Sequence, residues 1–396
     1  MENNTSFANR DKIRGACVTA RNQGIKWMWI DSCCINKASA TEESEAINSM
    51  FKWYREAQLC ITYLSDVKKN DDYPGIDVFR RTYNDEPSEW FSRGWTLQEL
   101  LAPLNMQFYD MNWTYMGTKR ELAGSIAHIT GIETRYLTGA EHFREASIAA
   151  KMSWMAQRTT TKEEDIAYSM VGIFGITMTP QYGEGQGAFI RLQETLLSSH
   201  VFDESLFAWR MPHPNAGMTF GARKDQWAAG EWGLLAASPD WFGGSGDIVT
   251  IADQSVARSF VMTPQGLRAP IQRPLYTGRI QSLDNFYGIL WVTFVGTIPA
   301  MFGFQHIKKL LNEKAREDFA FTLNCYRRNA SGRLENVEIY LRPTNVETVR
   351  YRKKIVLPSF VAKRIRCNKL GLSLDSVVNG GERIVLQPRP GFPGSD

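Results

Sequence analysis

Apolar positions alternate between helical and strand spacing over the first 110 residues. Ile13, Ala16, Cys17 and Ala20 share one face, which predicts a helix over 9–23 that Gly24 ends. Lys26 to Asp31 (KWMWID) reads as a short strand delivering a carboxylate at its C-terminal end. Ser39 and Glu42 form an S-x-x-E capping box, opening a helix to about Gln58. Its buried stripe is Ile47, Met50, Phe51 and Tyr54, at i, i+3, i+4 and i+7. Cys60 to Leu64 is a second strand, 66–89 an Asp-, Asn- and Pro-rich loop, and Met106 to Tyr109 a third strand. Helices alternating with short apolar strands predict an α/β fold with a parallel sheet.

From about 118 to 200 the pattern turns helical. Helices are expected over 147–158, after a Thr161–Glu164 capping box, and over 183–199. Beyond 205 it becomes β-like, with candidate strands at 205–209, 247–251, 258–263, 321–327 and 337–342 separated by turn signals. The expected organisation is an α/β domain at 1–117, a helical extension at 118–204, a β-rich domain at 205–387 and a flexible tail at 388–396. No internal repeat is seen.

Composition changes this picture little. The chain has 396 residues, 43% hydrophobic and 22% charged, as expected for a globular protein of two or three domains. A net charge of +4 requires no nucleic-acid partner. Residues 286–304 contain no charge, yet three Gly, a Pro and β-forming residues read as buried strands rather than a membrane span. The polar N-terminus has no signal-peptide pattern. The cysteines at 17, 33, 34, 60, 325 and 367 lack metal-ligand spacing, and no cofactor or metal is expected. Reduced thiols and a cytoplasmic location follow as expectations.

Three blocks carry a resemblance. They are WIDSCCINK (29–37), SEAINSMFKWY (44–54) and WFSRGWTLQELLAP (90–103). Together they resemble the fungal heterokaryon incompatibility (HET) domain, over about Asp11 to Trp209. Asn36 stands where the family usually has Asp. Family members also place a strand and an S-H-x-W block ahead of the first helix, where this chain starts, so the expected sheet is an incomplete flavodoxin/TIR-like one. HET domains are similar to TIR domains, some of which cleave NAD with a helix glutamate after a W-C-x-x-E type motif. The resemblance thus implies Glu99, in Trp95-Thr96-Leu97-Gln98-Glu99, as the catalytic residue. Asp31, Arg93, Trp90 and Trp95 would bind substrate, with NAD as that substrate.

Each residue also has a structural alternative. Thr96-x-x-Glu99 is itself a capping box. Asp31 suits an Asx turn, and Arg93 an ion pair with Glu89 or Asp85. Glu45 reads as solvated. Gly183, Gly185 and Gly187 lack the strand and Lys-Ser/Thr of a phosphate loop. The basic run 350–366 reads as a strand with a solvated basic face, and the five histidines form no triad. Three functions stay open: a programmed-cell-death effector of fungal non-self recognition acting through NAD cleavage, a non-catalytic interaction or self-association module, and an inactive paralogue.

Overall fold

The structure is a computed structural model. It describes residues 2–36, 38–70, 78–199, 203–220, 227–250, 260–263, 266–271, 318–347, 350–351, 354–355, 359–367, 369–373 and 382–386. The chain divides into two compact units, Met1–Ala146 with Lys151–Thr195, and Ser147–Ala150 with Leu196–Asp396.

The first unit opens with α1 (Glu2–Asn22), longer than the pattern predicted. Residues 25–30 are not a strand of any ladder among the described residues. Ile30 is extended (φ −135°, ψ 126°), and a four-residue helix, α2 (Asp31–Cys34), follows. The apolar spacing set the extended backbone, but a strand also needs a hydrogen-bonding neighbour. In α3 (Ala40–Glu56) the Ser39 hydroxyl accepts from the Glu42 amide at 3.3 Å. Glu42 itself reaches past the cap to the Asn36 amide at 2.9 Å, so the box closes on Asn36. α3 buries Ala46, Ile47 and Phe51, leaving Met50 and Tyr54 half-buried.

The sheet of this unit runs β1 (Cys60–Tyr63), β2 (Met106–Tyr109), β3 (Tyr115–Thr118). β1 and β2 are parallel, Cys60 opposite Met106, whereas β2 and β3 are antiparallel. The small sheet is therefore mixed. The all-parallel expectation missed β3 because YMGT is too short and Gly-containing to read as a strand. Between β1 and β2 lie a 3₁₀ turn (Glu89–Ser92) and α4 (Thr96–Leu101). Phe108, Phe79 and Phe91 form the aromatic core here, with Phe79 centroids 4.9 Å from Phe91 and 5.2 Å from Phe108. Such edge-to-face rings stabilise beyond their buried area.

The helices that follow along the chain are α5 (Ala123–Thr130), α6 (Thr134–Thr138), α7 (Ile148–Ser153), α8 (Asp165–Tyr168), α9 (Val171–Phe174) and α10 (Gly187–Leu197). The Thr161–Glu164 capping box does not form. Glu164 instead accepts from the Gly183 and Gly185 amides at 2.7 and 3.0 Å, which orders the glycine turn before α10; its own backbone amide and then these two lower its pKa. A β-carbon at Gly172 would lie 2.2 Å from Phe51 Cβ, so α9 meets α3 only because that residue has no side chain.

In the second unit, residues 205–209 form not a strand but part of a 3₁₀ turn (Glu204–Phe207), capped by Asp203. The described strands are β4 (Ile248–Val249), β5 (Val261–Thr263), β6 (Gly266–Ile271), β7 (Phe319–Arg328), β8 (Leu334–Glu347), β9 (Arg350–Tyr351), β10 (Lys354–Ile355), β11 (Ser359–Ile365), β12 (Gly371–Ser373) and β13 (Glu382–Leu386). The main sheet runs β4-β7-β8-β11-β13-β6-β5, with β12 also on β8. Its pairings are antiparallel except for β11 with β13. This is the β-rich C-terminal region read from the sequence, and β11 falls within the basic run. Trp209, Trp232 and Trp241 pack together in this unit, at 5.0 and 5.1 Å. Residues 286–304 and the tail beyond 386 lie outside the described residues. No described helix is long and apolar enough to cross a membrane.

Candidate functional site

The candidate site is built around α4. Its N-cap is Trp95, in helical conformation and without a side-chain cap. The Thr96 hydroxyl turns back, 2.6 Å from the Trp90 carbonyl and 2.7 Å from that of Arg93. The Thr96–Glu99 capping box is therefore absent, and Glu99 is released from its own helix start. Its carboxylate instead sits beside the Tyr54 hydroxyl of α3 and the Trp90 indole, whose polar hydrogens favour its charged form.

Glu99 lines a cavity of about 1570 Å³ together with Asp31, Tyr54, Cys60, Trp90 and Arg93. Its side chain is half-buried against this cavity, and burial raises its pKa. Arg93 opposes that shift, Asp31 adds to it, and the Trp90 and Tyr54 donors oppose it. Tyr54 is pushed well above its ordinary value, first by burial and then by the Glu99 charge, so it stays a donor. Burial, helped by Glu99, raises Cys60 to about 12, so it is a thiol rather than a nucleophile.

Four of the five sequence candidates thus meet. Glu99, Asp31, Arg93 and Trp90 line one cavity. Asp31 reaches it as the first residue of α2, not as the end of a strand. Arg93 does not pair with Glu89 or Asp85. Asp85 pairs with Arg80 at 3.2 Å, and Glu89 lies 3.6 Å from Arg81 and accepts from the Tyr83 hydroxyl. Trp90 is 8% exposed, edge-on to Phe91 and Phe108, so its ring packs in the core rather than offering a stacking platform. Trp95 does not line the cavity, and its indole N–H donates to Asp165 at 3.1 Å. Glu45 is exposed on the cavity wall.

Two residues were not singled out from the sequence. Tyr54 read only as a stripe residue of α3, although a Tyr at the end of an apolar stripe carries a donor to be satisfied. Asp66, just after β1, accepts from the Ser88 hydroxyl and the Glu89 amide, each at 2.7 Å, and anchors the turn that carries Trp90. The signal for it was a carboxylate three residues beyond the end of a strand. No group of His, Cys, Asp and Glu suited to a metal ion occurs among the described residues.

The mixed α/β unit thus presents a half-buried carboxylate to a cavity lined by both apolar and polar residues. Residues 2–88 match the family model of the heterokaryon incompatibility protein (HET), and residues 187–273 that of a domain of unknown function (DUF8212). The chain is 42% identical over 188 residues to the vegetative incompatibility protein HET-E-1 of Podospora anserina. That alignment covers 47% of this chain and 14% of the relative. Both findings support a HET-type domain in the N-terminal part of the chain. The family-model match ends before Trp90, Arg93 and Glu99. No solved structure matches the chain significantly.

Proposed function

We propose that this HET-domain chain acts in heterokaryon incompatibility, as a cell-death effector of fungal non-self recognition that hydrolyses NAD at Glu99. The observation that supports this reading is the Glu99 carboxylate itself. It is half-buried, freed from capping, set beside Tyr54 and Trp90, and lines a cavity it shares with Arg93. In the proposed reaction the bond between ribose C1′ and the nicotinamide nitrogen breaks, and the electron pair leaves with neutral nicotinamide. Ionised Glu99 stabilises the oxocarbenium-like centre and holds the ribose hydroxyls. Water adds at C1′ and loses a proton, giving ADP-ribose. Arg93 makes bidentate contact with the pyrophosphate. Arg93, and then Trp90 and Tyr54, oppose the burial that raises the Glu99 pKa and so favour its ionised form.

Cellular NAD after induced expression tests this reading. The expected result is a fall in NAD that Glu99→Gln abolishes. NAD that stays level in wild type and variant alike overturns it. A second reading, an interaction module, is favoured by one observation: Trp27 is 90% exposed on a segment without ladder partners. It predicts concentration-dependent assembly in sedimentation that Trp27→Ser abolishes, and a monomer at all concentrations contradicts it.

A further inference from the structure

The cavity follows the open edge of β1. In the sheet order β1-β2-β3, β1 is an end strand. The Cys60 and Leu64 amides donate to the Asn105 and Tyr109 carbonyls on the β2 side, at 2.9 and 2.8 Å. By the alternation of a parallel ladder, the N–H and C=O groups of Ile61 and Tyr63 then face away from β2. Among the described residues no backbone group pairs with them there. The strand, CITY, carries neither charge nor proline, the usual guards of an edge. All of β1 lines the cavity, and residues 24–30 form another wall. In that wall the backbone of Lys26 to Trp29 also makes no hydrogen bond among the described residues. Both ends of the segment are anchored. The Ile25 amide donates to the Ala20 carbonyl at 2.9 Å, and the Ile30 carbonyl accepts from the Cys33 and Cys34 amides at 3.0 and 2.9 Å. Anchored so, the segment stays off its own β1.

Two stretches of backbone with unmet hydrogen-bonding groups thus line one cavity. At about 1570 Å³ it exceeds the roughly 300–1,000 Å³ of small-molecule sites. Ile13, Ala16 and Ala20 of α1 give it an apolar side. Its exposed carboxylates Asp31, Glu42, Glu45 and Glu56 outnumber its basic residues, Lys12, Lys26 and Arg93. A fitting occupant is extended, apolar and basic. The sequence KWMW (26–29) has those properties: it lacks ladder partners, carries Lys26, and leaves Trp27 almost fully exposed. We propose that a second copy of this chain supplies the occupant, its residues 26–29 adding as a strand to the open edge of β1. A two-fold axis makes the exchange reciprocal. The strand order is then β1, the second copy's segment, the first copy's segment, the second copy's β1, and each segment is paired on both sides. Main-chain hydrogen bonds hold such an added strand, and the alternate side chains select it. Lys26 meets the acidic walls, and Trp27 leaves water. The proposal rests on the interaction-module reading and makes no use of NAD cleavage.

The test joins sedimentation equilibrium of the full chain to amide hydrogen exchange, both under reducing conditions because Cys33 and Cys34 are exposed. The chain should pass from monomer to dimer as its concentration rises. Across the same range, exchange over 26–29 and 60–64 should slow by at least about tenfold, as it does when amides enter a ladder. Ile61→Pro removes only an amide that faces the open side, a place where an edge strand accepts proline. It should weaken the dimer by about tenfold or more, since the two-fold repeats the lost hydrogen bond. Should that variant not fold, Trp27→Pro decides, because it falls on an exposed segment outside any ladder and should weaken the dimer as much. A monomer at every concentration overturns the proposal together with the interaction reading. A dimer whose exchange over 60–64 is unchanged overturns the proposal alone and leaves the interaction reading standing. A folded proline variant that dimerises like wild type also overturns it.

Discussion

Two tryptophan-bearing segments meet at the cavity, and the chain treats them in opposite ways. In EWFSRGWT, Trp90 and Phe91 are buried, ringed by Phe79 and Phe108, and the turn is tied at both ends, by Asp66 before it and by Arg158, which donates to the Arg93 carbonyl, behind it. In KWMWID no residue is buried, Trp27 is almost fully exposed, and the backbone lacks ladder partners among the described residues. Trp29 still packs on Trp53 at 5.2 Å and Tyr54 at 5.7 Å, so the second segment is held by ring contacts to α3. Aromatic content therefore does not decide burial. What decides it is whether backbone groups find partners and whether side chains meet a second layer. Glu99 comes from the rigid segment and Asp31 from the loose one, so the fixed half of the site is the carboxylate half.

Substitutions in the two segments should differ accordingly. The largest effect is expected for Phe108→Ala. Phe108 is fully buried between Phe79 and Trp90, and its loss should cost about 3–5 kcal/mol in urea denaturation. Next comes Gly94→Ala, which drives a methyl against Thr160 and should cost about 1–3 kcal/mol by the same measurement. A neutral result at either position would show that the rigid segment is not held as described.

Glu99→Gln probes the same segment through pH. Burial raises the folded pKa of Glu99 above its ordinary 4.5, so between the unfolded and folded values the native state holds more protons. Wild-type stability falls as pH rises through that window, and the neutral Gln variant lacks this loss. The variant should therefore gain on wild type as pH rises from 4.5 towards neutrality. The gain should be roughly 1.4 kcal/mol for each pH unit that separates the folded and unfolded values. A stability difference independent of pH would mean that burial does not raise the Glu99 pKa. The smallest effect belongs to the loose segment. Trp27→Ala should change stability by no more than about 0.5 kcal/mol, as an exposed residue does.

Much of this was legible in the residues, though unevenly. The start of α3 and the whole of β2 followed from a cap and a short apolar run. KWMWID did not become a strand, because periodicity reports side-chain environment and is silent about hydrogen-bonding neighbours. Residues 205–209 misled for a related reason: SLFAW is fully buried, and a short buried run fits a 3₁₀ turn as well as a strand. At the site, Glu99, Asp31, Arg93 and Trp90 were found through the motif blocks. Tyr54 carried only a stripe signal, and Arg158 none, since its partners Arg93 and Thr96 lie 65 and 62 positions earlier in the chain. The capping alternative for Glu99 failed because the Thr96 hydroxyl is consumed by the Trp90 and Arg93 carbonyls, a competition invisible in a four-residue pattern.

Whether the half-buried Glu99 carboxylate cleaves a glycosidic bond is decided by nicotinamide release from NAD, measured on the purified protein at neutral pH. Wild type should release nicotinamide, and Glu99→Gln should lower the rate by at least about 100-fold. Release that Glu99→Gln leaves intact, or no release by a folded wild-type protein, would show that Glu99 performs no such chemistry.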